Sequence, residues 1–149
     1  MQRTLVLVKP DGVQRGLVGE IIRRLESRGL KIIAMKMIRM SSNLAAQHYA
    51  EHRGKTFYDG LIDFITSGPI VAMICEGREA VAMVRSLMGT TDPLNAASGT
   101  IRGDLALDLL MNLIHGSDSP ARAAEEIELF FRPEELVDYE RTSDRWISE

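Results

Sequence analysis

Short apolar runs alternate along this chain with segments of helical periodicity, and no other feature limits its possible folds as strongly. Residues 5–8 and 70–75 are continuous apolar runs of strand length, and the first lies inside a predicted strand over 3–9. A weaker alternation predicts a strand over 30–40, and a fourth strand is predicted over 113–115. These four segments are the expected sheet.

Helical periodicity is clearest between the first two predicted strands. Val18, Ile21, Ile22 and Leu25 lie at i, i+3, i+4 and i+7 of one helix, which Gly29 ends. The other predicted helices are one capped by Asn43, one over 61–65, one over 79–88, and one that runs from a Ser119 cap through Pro120 to Phe130. This order predicts a single α/β or α+β domain over residues 1–149, with helices packed on the sheet.

Composition narrows the class of protein. The formal net charge of −3 argues against a broad nucleic-acid-binding face, so no specific nucleic acid is expected as a partner. Cys75 is the only cysteine, which excludes an intramolecular disulfide and fits a reducing compartment. No segment approaches the roughly 20 apolar residues that span a bilayer, and the first apolar run is too short for a secretory signal. We therefore expect a cytoplasmic protein without a membrane partner.

One histidine stands where a predicted strand breaks before a helix. His115 follows an apolar run and precedes Gly-Ser-Asp, a position from which an imidazole can act as nucleophile or proton carrier. Glu126 lies about two turns into the next helix and can point back to fix the imidazole tautomer, and Ser117 can join that network. Taken alone, a lone histidine is more often structural.

Three cations are candidates for an anion site. Lys9 directly follows the first strand and is either a cleft residue or a solvated lysine. Arg85 precedes the long aperiodic segment 89–103, and Arg102 lies at its far end, so a fold that joins them makes a fork for phosphate. Thr91 adds a hydroxyl donor. Long loops of this kind inside compact domains are often functional.

Aromatic residues near the middle of the chain have two interpretations. Phe57 lies in a polar connection, where it can stack on a flat ligand or simply cover the core. Tyr49 and His52 lie at i and i+3 and share a helix face. The chain has no phosphate-binding P-loop, protein-kinase motif, zinc-ligand spacing or Gly-x-Gly-x-x-Gly fingerprint. A nucleotide would have to be bound by another route.

From residue 3 to about 146 the chain resembles the nucleoside diphosphate kinases. The most specific matching motifs are Lys-Pro-Asp-Gly-Val-Gln-Arg-Gly at 9–16, Ser-Gly-Pro at 67–69, Gly-Thr-Ile-Arg-Gly-Asp at 99–104 and Asn-x-x-His-Gly-Ser-Asp-Ser at 112–119. The resemblance implies a ferredoxin-like sandwich with a four-stranded antiparallel sheet covered by helices. It also implies ping-pong transfer of the terminal phosphate of a nucleoside triphosphate, mainly ATP, to nucleoside diphosphates, which maintains the cellular nucleotide pool.

The resemblance also assigns roles to individual residues. His115 matches a nucleophile that attacks through Nδ1 and becomes a phosphohistidine, while Glu126 and Ser117 match the groups that orient it. Residues matching the family's phosphate contacts are Lys9, Tyr49, His52, Arg85, Thr91 and Arg102. Of these, Lys9 and Tyr49 are implied as catalytic, together with Asn112, and Lys9 and Asn112 also match contacts to the sugar hydroxyls. Residues matching the base contacts are Phe57, which stacks on it, Leu109 on the opposite side and Leu61 nearby. Mg²⁺ is the implied cofactor, held by the nucleotide phosphates with little direct protein ligation.

Some positions depart from the family pattern. Ser98 stands where a proline usually precedes Gly-Thr-Ile-Arg, Leu105 replaces a common phenylalanine, and Leu110-Met111 replaces Gly-Arg. The tail that ends near Trp146 resembles the hexameric branch more than the tetrameric one, so a hexamer is expected. Two alternatives remain open on the same fold: a binding or regulatory protein without activity, and an RNA-binding module, which would need exposed aromatic residues on its strands and a basic face.

Overall fold

The computed structural model describes Met1–Glu149 and contains one four-stranded sheet. Its strands are β1 (Gln2–Val8), β2 (Lys31–Ile38), β3 (Ile70–Gly77) and β4 (Ile114–Gly116), in the order β2-β3-β1-β4. Each neighbouring pair is antiparallel. The predicted ferredoxin-like α+β class is confirmed, and all four predicted strands are present.

Seven α-helices connect and cover the strands. They are α1 (Pro10–Gln14), α2 (Val18–Ser27), α3 (Ser42–His48), α4 (Tyr58–Ile65), α5 (Ala80–Met88), α6 (Ile101–Leu105) and α7 (Pro120–Phe130). Single 3₁₀ turns lie at Ala50–His52, Pro93–Asn95, Pro133–Glu135 and Asp144–Trp146. None of the helices is long and apolar enough to cross a membrane.

The central strand β1 is buried on both faces, which explains its continuous apolar run. Val6 and Val8 pack in one core with α2 and α5, whereas Leu5 and Leu7 pack in a second core with α3, α4 and α7. All four side chains are fully buried. A central strand covered on both faces has no solvent side and therefore does not alternate. The same covering leaves the central strands β1 and β3 without the open face that an RNA-binding module uses.

Local predictions failed at several chain connections. The α3 cap is Ser41, whose Oγ accepts a hydrogen bond from the Leu44 amide at 3.1 Å, and not Asn43. Residues 41–43 are all good cap formers, so the sequence does not select between them. The segment 89–103, predicted to be a loop because its sequence lacks periodicity, holds a 3₁₀ turn. Helix α6 also begins inside it, after a Thr100 cap.

The register of β4 directs His115 toward the second core. His115 pairs with Leu7, and neighbouring residues of a strand point to opposite faces, so Ile114 enters the first core and His115 faces α3 and α7. Just before the strand, Leu113 has φ +77°, a left-handed conformation unusual for a branched side chain. Its amide donates to Asp11 Oδ2 at 3.1 Å and its carbonyl accepts from the Lys9 amide at 2.9 Å. These two contacts tie β4 to the end of β1.

Proline at position 98 should stabilise the protein. Ser98 occupies the second position of a turn closed by the Thr100 amide and the Ala97 carbonyl at 3.2 Å, with Gly99 at φ +94° in third place. Proline suits the second position of such a turn because its ring fixes φ near −65°. We expect Ser98→Pro to add about 0.4–1 kcal/mol and raise the melting temperature by about 1–4 °C, measured by calorimetry against Ser98→Ala. No gain over Ser98→Ala would contradict this account.

Candidate active site

A cleft of about 810 Å³ opens beside β4 and collects the residues singled out from the sequence. Those that line it are Lys9, Tyr49, His52, Phe57, Leu61, Arg85, Thr91, Arg102, Leu109, Asn112, His115 and Glu126. Ser117 does not line the cleft and lies buried behind it, hydrogen-bonded to Glu126. Residues up to 117 positions apart in the chain are thereby placed around one cavity.

His115 and Glu126 form the centre of the site. Nε2 of His115 lies 3.1 Å from both carboxylate oxygens of Glu126. Because a carboxylate only accepts, Nε2 carries a proton, and in the neutral imidazole Nδ1 then retains its lone pair. The His115 side chain is 23% exposed and Glu126 is 4% exposed, so the imidazole is held from its buried side. This arrangement supplies a nucleophilic nitrogen.

The Glu126 carboxylate is ionised despite its burial. Burial alone would raise its pKa, but hydrogen bonds and charge from His115, together with the Ser117 hydroxyl, lower the pKa of Glu126 to about 2. The Ser117 Oγ donates to Oε1 at 2.5 Å, and Arg122 Nη2 donates to Oε2 at 3.3 Å. A carboxylate with this many donors keeps a fixed orientation.

Lys9 is held at the floor of the cleft. Its Nζ donates to Asn112 Oδ1 at 2.7 Å, and Asn112 Nδ2 donates to the Thr91 carbonyl at 3.0 Å. Burial, with a smaller effect from the charge of Arg102, lowers the pKa of Lys9 to about 8. Burial disfavours the charged form of this amine, and an anionic ligand beside it would stabilise that form.

Two arginines reach the same cavity with different anchoring. The buried Arg102 donates to the carbonyls of Asn112 at 3.2 Å, Gly89 at 3.1 Å and Ile114 at 2.6 Å. Arg85 makes one such contact, to the Gly116 carbonyl at 3.3 Å. Burial, and then the nearby charge of Arg85, lowers the pKa of Arg102 to about 10. The contacts of both arginines are to carbonyl oxygens and not to carboxylates, and such guanidinium groups beside Lys9 suit a polyphosphate.

The outer part of the cleft is apolar and aromatic. Phe57 is 50% exposed and Leu109 is 59% exposed, which is unusual for side chains of this size. The His52 ring contacts Phe57 with 5.4 Å between centroids, and Leu61 lies partly buried beside them. The cleft thus combines a charged floor with a mouth able to stack on a planar group.

The sequence analysis missed two side chains of the site. His48, at the end of α3, lies against His115 with 4.6 Å between ring centroids. Arg122 bridges Glu126 and the His48 carbonyl. The spacing of Arg122 four residues before Glu126 was an available signal, because such pairs share a helix face. No sequence pattern identified His48, whose position depends on how α3 packs against α7.

The donors in this cleft do not form a magnesium cage. Its one cluster of three metal-ligating side chains is His48, His115 and Glu126, whose donor atoms lie within 4.8 Å of one another. Mg²⁺ prefers oxygen ligands and keeps several waters, and two imidazoles do not suit it. This cluster of side chains is therefore not suited to hold Mg²⁺ on its own.

The altered segment at Leu110-Met111 forms a compact turn. Asp108 Oδ2 accepts hydrogen bonds from the amides of Leu110 at 3.0 Å and Met111 at 3.1 Å. Leu110 lines the cleft, while the Met111 side chain is half exposed. The turn leaves Asn112 in place beside Lys9.

The fold and the cleft define a class: an α+β protein with a carboxylate-oriented imidazole set among cations. Comparison with known proteins identifies the family. The family model for nucleoside diphosphate kinase matches residues 2–136. The nucleoside diphosphate kinase of Carboxydothermus hydrogenoformans is 58% identical over 149 residues, covering 100% of both chains. That of Archaeoglobus fulgidus is 57% identical, covering 100% of this chain and 99% of its own.

Solved structures agree with the sequence comparison. A halophilic nucleoside diphosphate kinase from Halobacterium salinarum, in complex with CDP, superposes with a TM-score of 0.98 at 55% identity, covering 99% of each chain. A family protein from Babesia bovis gives a TM-score of 0.96 at 49% identity, covering 99% of this chain and 100% of its own. The chain belongs to the nucleoside diphosphate kinase family and is an enzyme.

Nucleotide affinity should fall in alkaline solution because of Lys9. The ammonium form attracts phosphate, and with a pKa of about 8 it is lost as the pH rises through that value. The dissociation constant for ADP should rise by up to roughly tenfold per pH unit above pH 8. Isothermal titration at about pH 7 and about pH 9 measures this change, and Lys9→Arg should remove most of it because guanidinium stays charged. Equal affinity of the wild type at both pH values would contradict the prediction.

Proposed function

We propose that this enzyme transfers the γ-phosphate of a nucleoside triphosphate, mainly ATP, to a nucleoside diphosphate through a phosphohistidine at His115. The observation that carries the proposal is the pairing of His115 Nε2 with Glu126, which leaves Nδ1 as the free nitrogen. In the first half-reaction Nδ1 attacks the γ-phosphorus, the bond to the β-phosphate oxygen breaks, and the nucleoside diphosphate leaves. The second nucleoside diphosphate reverses these steps.

The surrounding residues have roles that follow from charge and position. Lys9, Arg85 and Arg102 offset the phosphate charge, and Thr91 contributes a donor beside them. Tyr49 and His52 border the phosphate region, and burial raises the pKa of Tyr49 to about 12, so its hydroxyl remains a donor. A bound Mg²⁺ supplies further charge neutralisation on the nucleotide phosphates.

Recognition of the nucleoside is expected to be broad. Phe57 and Leu109 are placed to hold the base between them, with Leu61 nearby, while Lys9 and Asn112 contact the sugar hydroxyls. Stacking uses a face that every base has, so selectivity among bases is low. The CDP complex of the relative from Halobacterium salinarum supports nucleoside diphosphates as ligands. Such an enzyme equalises the phosphorylation of the cellular nucleoside triphosphates and deoxynucleoside triphosphates.

A two-step label transfer tests this function. The protein is incubated with Mg²⁺ and γ-labelled ATP, freed of nucleotide, and examined for acid-labile, alkali-stable label that maps to the peptide containing His115. GDP is then added. Label that forms and passes to GDP supports the phosphohistidine route. Nucleotide binding without label would instead favour a binding protein that has lost the activity.

We also propose a hexamer of identical chains. The edge strand β2 exposes Met35 and Met37, and the C-terminal segment exposes Trp146 by 79%, which are apolar surfaces suited to association. Light scattering with an absolute mass measurement tests the assembly. A mass of six chains is expected, and a tetramer or a dimer would contradict it.

A further inference from the structure

His48 is a buried imidazole without a hydrogen-bond partner. Its side chain is 1% exposed, and neither ring nitrogen is hydrogen-bonded. The ring packs edge-on against His115, at 4.6 Å and 81°, and against Phe130, at 5.4 Å and 86°. Unpartnered buried polar atoms are rare and destabilising, so a phenyl ring would suit this packing better on stability grounds alone.

The Glu126 carboxylate, which is paired with His115, lies close to the His48 ring. Nδ1 of His48 lies 3.6 Å from Glu126 Oε2, the oxygen that also faces Arg122. Burial, followed by the charge of His115, lowers the pKa of His48 to about 3, although the Glu126 charge opposes this shift. The imidazole is therefore neutral at working pH. A neutral ring beside a carboxylate turns an N–H toward it.

Orientation of Glu126 matters because His115, Ser117 and Arg122 all donate to its carboxylate. Both oxygens lie 3.1 Å from His115 Nε2, and Arg122, whose side chain is 29% exposed, donates to Oε2 at 3.3 Å. A turn of the carboxylate toward Arg122 would release the Nε2 proton, and the His115 ring could then adopt the tautomer with the proton on Nδ1. That tautomer has no lone pair on Nδ1.

We propose that His48 is a positioning residue, whose Nδ1–H and ring edge keep the Glu126 carboxylate turned to His115 so that His115 Nδ1 stays unprotonated toward the cleft. This inference rests on the proposed attack through His115 Nδ1. His48 itself does not contact the nucleotide phosphates in this arrangement. Its effect is on the fraction of the enzyme that is ready to react, and so on kcat and not on KM.

Three substitutions separate positioning from packing. His48→Phe keeps the ring shape without a donor, His48→Asn places an amide near the position of Nδ1, and His48→Gln places it farther out. Gln47→Ala, an exposed position on the same helix, is the matched control. The readouts are the single-turnover rate of phosphoenzyme formation, the KM for ATP, and the ¹⁵N resonances of His115 in the nucleotide-free protein.

We expect His48→Phe to lower the phosphorylation rate about tenfold, with KM within about twofold, and to show a mixture of His115 tautomers. His48→Asn should restore most of the rate and the single tautomer, and Gln47→Ala should match the wild type. An unchanged rate and tautomer in His48→Phe would overturn the proposal.

Two further outcomes are decisive. If His48→Phe does not fold, the comparison of His48→Asn with His48→Gln remains, and equal rates and tautomers in these two would overturn the proposal. If the wild type forms no phosphoenzyme, the proposed function fails, while the tautomer of His115 in the nucleotide-free variants still tests the role of His48 separately.

Discussion

Replacing His115 with asparagine should reduce phosphate exchange by at least about 10⁴-fold, the order lost when a covalent nucleophile is removed. His115 presents the one nitrogen that the Glu126 pairing leaves free in the cleft, and no cysteine borders it. Asparagine keeps a polar group toward Glu126 but cannot form the phosphorylated intermediate. The measurement is steady-state transfer from ATP to GDP, together with the label retained on the protein.

Nucleotide binding provides the control for this variant. The cationic floor and the Phe57–Leu109 mouth are untouched by His115→Asn, so ADP affinity should stay within about threefold of the wild type. If the variant retained a tenth of the wild-type rate, the phosphohistidine mechanism would be wrong, and direct transfer between bound nucleotides would be the better explanation. If it lost both binding and thermal stability, His115 would be structural.

Replacing Arg102 with methionine should destabilise the fold by about 3–5 kcal/mol and lower the melting temperature by roughly 10 °C. The guanidinium joins the carbonyl of Gly89, at the end of α5, to those of Asn112 and Ile114 at the start of β4. Methionine fills similar volume but removes the donor from all three carbonyls, and only the Asn112 carbonyl keeps another donor, the Ile114 amide at 2.9 Å. Calorimetry of the nucleotide-free protein measures the effect.

Arg85→Met is the matched comparison, because it removes the same charge from an exposed side chain with a single carbonyl contact. Its stability should stay within about 0.5 kcal/mol of the wild type, although both variants bind ADP less tightly. Equal stability of the two variants would show that the Arg102 contacts do not hold the loops together. Arg102→Lys should keep the positive charge but not the hydrogen bonds to all three carbonyls, because lysine lacks the planar guanidinium with its several donors.

A strand or helix of this fold could be predicted from the sequence where its own residues carry a local pattern. The strands were predictable because β1 and β3 are buried on both faces and so contain long apolar runs. The helix from Pro120 was predictable from its cap and its proline. The short α1 and α6 were not, because helices of five residues carry no periodicity.

The residues of the site likewise differ in how far the sequence predicts them. Individual residues such as Lys9 and Arg102 gave ambiguous local signals, and only the resemblance of four ordered motifs placed them together. His48 illustrates the limit, because its role depends on α3 packing against α7 and on the orphaned ring nitrogens that result. Tertiary contacts of this kind have no counterpart in the spacing of residues along one chain.

The left-handed backbone at Leu113 limits which substitutions can stabilise this fold. Glycine is the usual replacement at such a φ, and it would relieve on the order of 1 kcal/mol of strain. Here the leucine side chain is fully buried in the first core, and its removal costs about 3–5 kcal/mol. A substitution to glycine, chosen for the backbone conformation alone, would therefore lower the free energy of unfolding at this position.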